Sequence, residues 1–124
     1  MKPMHFLLFV IAMFMPSTPI FAHHGSAAYD MATVTTLKGT VTDFVWSNPH
    51  IEIKFDVTDE KNNTLHWALE CIPPPMAIDR GWTRKSMKPG DLVTISFNPS
   101  KNGATVGYFR KAVFADGREM IGRN

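Results

Sequence analysis

Between Thr36 and Val57, apolar and polar side chains alternate in two runs separated by Ser47-Asn48-Pro49, the pattern of two strands joined by a turn. Ile51, Ile53, Phe55 and Val57 fall on one side of an extended chain, and His50, Glu52, Lys54 and Asp56 fall on the other. That period of two marks a strand with one wet face. The first run changes phase: Leu37, Gly39 and Val41 share a face, then Phe44, Val45 and Trp46 are apolar in succession. One extra residue near Asp43 accounts for the change, because a bulge reverses the faces of the residues after it and bends the strand. Gly39 suits a tightly coiled strand. Pro49 has no N–H for a ladder, so it belongs to the turn and keeps Asn48 out of the helical region.

The rest of the chain continues the meander. Asp59-Glu60-Lys61-Asn62-Asn63 is a polar turn leading to a third strand over Thr64–Cys71. There Leu65, Trp67, Leu69 and Cys71 share the apolar face. Pro73-Pro74-Pro75 ends the strand, and Pro75 opens a short helix over Met76–Arg80 with Gly81 as its stop. Met87–Asp91 turns the chain into a fourth strand, Leu92–Phe97. A fifth runs from about Thr105 to Ala115, and Asp116-Gly117 folds Arg118–Ile121 back on it. Three strands, a short helix and two strands is the order of the OB-fold, a five-stranded Greek-key barrel. Bulges and strand glycines are what its closure requires. The expected class is therefore all-β with one short helix. An open β-sandwich is the alternative if the segment after Pro75 is not helical.

Ahead of the first strand the pattern is different. Met1–His5 is basic, Phe6–Met15 is apolar, and Pro16–Ala22 is polar and ends on a small residue, the three parts of a cleavable secretory signal peptide. The apolar run is too short for a bilayer, which takes about 20 residues. Residues 1–22 are thus expected to be removed, 23–35 to form an arm, and 36–124 to form the barrel domain, in a periplasmic or secreted protein with no membrane span after cleavage. The chain carries 13 Lys+Arg against 11 Asp+Glu, and loss of Lys2 with the signal brings it closer to neutrality. A protein held to nucleic acid by charge would be far more basic. Cys71, the single cysteine, excludes an internal disulfide and lies on the apolar face of its strand.

A set of short motifs then stands out: His23-His24-Gly25-Ser26 with Tyr29-Asp30, Gly39-Thr40-Val41, Trp46-Ser47-Asn48-Pro49-His50, Trp67 with Glu70, Arg80-Gly81-Trp82, Lys88-Pro89-Gly90-Asp91 and Asp116-Gly117. In combination they resemble the domain of unknown function 6152 family, small exported proteins of Gram-negative bacteria. The resemblance covers essentially all of the expected mature chain and implies compartment and size, with no chemistry attached. Cys71 departs from the pattern.

The most pointed chemistry is the histidine that cleavage after Ala22 would expose. A first-position His23 offers its amine and a ring nitrogen to one ion, and a second imidazole makes a three-nitrogen set suited to square-planar Cu(II). His24 or His50 would supply that imidazole, and Asp30 or Tyr29 an oxygen. Cleavage one bond earlier would place a histidine third, another Cu(II) arrangement, although Phe21 disfavours that cut. Imidazoles bind metal only when deprotonated, so affinity should fall as pH drops through the ordinary histidine range near 6.5. The plain alternative is two solvated histidines.

A second reading is a binding module without metal, using the second and third strands and their flanking loops for an oligosaccharide, a peptide or an envelope protein partner. Trp46, Asn48, His66, Glu70 and Trp82 would form its ligand surface, whereas Trp67 alternates with Leu65 and Leu69 and reads as core. His50 has a structural alternative too, closing its own turn through a backbone group. With no nucleophile elbow, phosphate loop or carboxylate pair set by spacing, no enzyme is expected.

Overall fold

A computed structural model describes residues 25–123. The expected signal peptide, residues 1–22, and His23 and His24 lie outside the described residues. Six strands and one helix come after a short 3-10 turn at Gly25–Ala28: β1 Thr35–Val45, β2 Glu52–Thr58, β3 Thr64–Glu70, α1 Pro74–Asp79, β4 Leu92–Pro99, β5 Val106–Phe114 and β6 Glu119–Ile121. The strand order is β3-β2-β1-β4-β5-β6, and β3 also pairs with β5. That extra pairing closes β1 to β5 into an OB-fold-like barrel, and β6 extends β5 beyond the ring.

Closure rests on β1, which serves two partners. Its first half, Thr35–Thr40, pairs with β4 and its second, Thr40–Val45, with β2. The register slips between Val41 and Asp43, the bulge that the change of phase predicts. Gly39 sits at this bend because the chain crosses so closely there. A Cβ would collide with the Asp56 carbonyl oxygen and come within 2.9 Å of the Phe55 ring. The seam is the parallel contact of β3 with β5, only three residue pairs long: Ala68 with Val106, Leu69 with Gly107 and Glu70 with Tyr108.

The inward faces meet as the alternation requires. Val41, Ile53, Phe55, Leu69, Val93, Ile95, Phe97 and Phe109 are all buried, with the Phe97 ring 6.3 Å from Phe55 and 4.8 Å from Trp67. Helix α1 covers one end through buried Pro74 and Ala77, and Gly81, at φ 81°, turns the chain so that Trp82 meets Phe109 edge-on at 5.5 Å. Trp82, expected on a ligand surface, is only 4 % exposed, so it belongs to the core. Cys71 is fully buried, and burial pushes its thiol well above the ordinary value.

The arm crosses the barrel wall. Tyr29 bridges to Ser100, and the Asp30 amide donates to the Pro99 carbonyl at 2.8 Å. Asn98, the one buried polar side chain among the described residues, donates to the Thr33 carbonyl at 2.7 Å. A buried amide needs such partners, and here they tie the arm to β4.

Candidate functional site

Antiparallel pairing of β2 with β3 sets Glu52 opposite Glu70, Lys54 opposite Ala68 and Asp56 opposite His66. Directly opposed residues share a face, so these six line the outer surface. Past the strand ends, Cys71 N–H donates to Ile51 C=O at 2.7 Å and Ile51 N–H to Ile72 C=O at 3.3 Å. These bonds carry the ladder up to the Ser47–His50 turn, which contains a cis Asn48–Pro49 peptide. The Ser47 hydroxyl donates to the His50 backbone carbonyl at 3.3 Å, so Ser47 closes the turn and the His50 ring does not.

The ring is engaged elsewhere. His50 Nδ1 lies 3.1 Å from Glu70 Oε1, while the Tyr29 hydroxyl donates to Glu70 Oε2 at 2.9 Å. One carboxylate thereby joins the turn between β1 and β2, the third strand and the arm. Tyr29 packs 5.8 Å from Tyr108, the β5 residue opposite Glu70 across the seam. Burial, reinforced by the bond to Glu70, pushes the Tyr29 phenol far above its ordinary value, so it remains a donor. Around this chain lies a cleft of about 240 Å³ lined by Tyr29, Ser47, Asn48, His50, Glu52 and Glu70, with Ala68 and Val106 among its walls.

Of the residues the sequence points to, the fold brings His50, Glu70 and Asn48 into this one cleft. Asp30 does not join them. Its carboxylate accepts from the Ala32 amide at 3.1 Å and the Thr33 hydroxyl at 2.6 Å, capping its own turn, and those bonds hold it below the usual carboxylate range. Asp-x-x-Thr spacing carries that signal, because short polar side chains close such turns. The oxygen facing His50's partner is the Tyr29 phenol. His66 lies at the other end of the face, 2.6 Å from Asp56. Trp46 is half-buried against Phe44, with the Arg84 guanidinium 5.8 Å from its ring centre.

Glu70 orients an imidazole, which is the arrangement that supports a metal-ligating or ligand-binding histidine. Among the described residues, no group of three or more His, Cys, Asp or Glu side chains comes together as a metal cage. No helix among the described residues is long and apolar enough to cross a membrane.

Neither a curated protein nor a solved structure matches the chain. A family model described as a family of unknown function, DUF6152, matches residues 12–110, which span the arm, the turn and every residue of the cleft. The chain belongs to that family.

Proposed function

We propose that this is an exported, non-catalytic binding protein that ligates Cu(II) through the N-terminal His23 left by signal cleavage, with His50 and with help from His24. The observation that carries the reading is the shared carboxylate of Glu70. In the neutral tautomer that donates Nδ1–H to Glu70, the lone pair of His50 is on Nε2, the atom a metal would take. Metal-binding histidines are ordinarily oriented by such a carboxylate. Tyr29, bonded to the same carboxylate, pins the arm five residues after His24 beside the His50 turn.

The test is a Cu(II) competition titration on the exported protein, after N-terminal sequencing has located the cut. Wild type should bind one ion with nitrogen ligands visible by electron paramagnetic resonance, and His23→Ala and His50→Ala should each weaken it. A protein that starts elsewhere than His23, or a His50→Ala variant that binds as well as wild type, ends the copper proposal. The cleft itself favours a second reading, a small polar ligand without metal, because Ser47, Asn48 and Glu52 offer hydrogen bonds on the face OB-folds use for ligands. Binding of such a ligand to metal-free protein, lost in Glu70→Ala, would support it.

A further inference from the structure

At the end of the sheet, β6 has β5 as its only neighbour among the described residues. Two bonds fix its phase: Phe114 N–H donates to Arg118 C=O at 2.9 Å and Gly122 N–H to Arg110 C=O at 2.7 Å. In an antiparallel ladder, hydrogen-bonded pairs alternate. Arg118, Met120 and the Gly122 N–H therefore face β5, and Glu119 and Ile121 direct their main chain outward. The outward groups face a cleft of about 440 Å³ between β6 and the Arg80–Ser86 segment. Its charge is uneven. Arg80 is held by the Gly122 carbonyl, and Arg118 by the Ser86 carbonyl at 2.8 Å and by the Phe114 ring 3.8 Å away. Glu119, the carboxylate lining the cleft, is 2.6 Å from Lys111, and Asp91 and Asp116 line a neighbouring cleft with Arg118.

We propose that this edge is a strand-addition site for an extended peptide segment carrying acidic side chains. Strand edges recruit peptides through main-chain bonds, and flanking side chains select among them. The N–H and C=O of Glu119 and Ile121 supply the bonds. Arg80 and Arg118, each anchored through one of its N–H groups with others left to donate, supply the selection for carboxylates. The exposed Ile121 side chain adds an apolar contact.

The probe is an acetylated, amidated heptapeptide alternating Glu and Val, with one alternating Lys and Val as control, monitored by amide NMR and calorimetry. The acidic peptide should shift the Glu119, Ile121 and Arg80 signals and weaken as salt rises, and the basic one should not bind. Ile121→Pro removes an outward N–H that the ladder does not use, so binding should weaken at least roughly tenfold with an unchanged melting temperature. Arg118→Glu keeps the outward N–H and C=O groups of Glu119 and Ile121 and should exchange the preference, losing the acidic peptide and gaining the basic one. The proposal is overturned by equal or absent binding of the two peptides, by shifts confined to the His50 cleft, or by full binding in both variants. Peptide-free self-association abolished by Ile121→Pro would overturn it in favour of a second copy at this edge.

Discussion

Glu70 has two carboxylate oxygens and a different partner on each, which makes it the most informative single residue in the molecule. Replacing it with Gln keeps the shape but turns one oxygen into a donor. A Gln carbonyl can still accept from Tyr29, so its NH₂ would face His50 Nδ1 and force the proton onto Nε2. The expected result is a Cu(II) affinity about 10–100-fold lower, the usual effect of losing an orienting carboxylate. Nitrogen NMR of the free protein should show the His50 tautomer exchanged. Unchanged affinity with an unchanged tautomer would remove Glu70 from the site. Little of this pairing is legible in the sequence. The alternation assigns Glu70 and His66 to the wet face, but which histidine meets which carboxylate depends on strand register, and that pairs His66 with Asp56 instead. Trp82 is illegible for a different reason, since it comes after a helix stop in a segment without periodicity.

At the scale of elements, β1 is readable because its irregularity is itself written in the residue order. Alternation that breaks near Asp43, with a glycine four residues earlier, leaves a bulge as the simple solution. The consequence is that Gly39 is required by contact and not by unusual dihedral angles. Gly39→Ala must displace both the β2 backbone at Asp56 and the Phe55 ring, an overpacking that costs about 1–3 kcal/mol. Urea denaturation measures it, and a variant as stable as wild type would mean that β1 and β2 separate easily at the bend. The arm is less readable. Short, weakly patterned segments take their path from tertiary bonds, here those of Asn98, Pro99 and Ser100, and such bonds leave no period in the sequence.

For the whole molecule, acid is the condition that tests the turns together. Asp59 is held below its ordinary range by the Asn63 amide. At Asp91 burial acts in the opposite direction, but the bonds from Lys88 outweigh it and the net shift is again downward. Asp30 shifts the same way through Thr33 and Ala32. A carboxylate with a lowered folded pKa stabilises fully above its unfolded value, near 3.9, and the contribution is lost as pH falls through the folded value. Melting temperature should therefore hold down to about pH 4 and decline below it. Asp91→Asn should be less stable at pH 6 and show a shallower acid decline; a melting temperature that is flat from pH 4 to 2.5 would contradict this. The three-pair β3–β5 join gives the barrel an uneven mechanical character. Glu70 belongs to that join and Val106 borders the same cleft, so a guest seated there would act as a rivet across the shortest weld in the ring. Breathing of the barrel and occupancy of the cleft become one equilibrium: hydrogen exchange at Ala68, whose N–H donates across the join to Thr105 C=O, should slow whenever the cleft is filled.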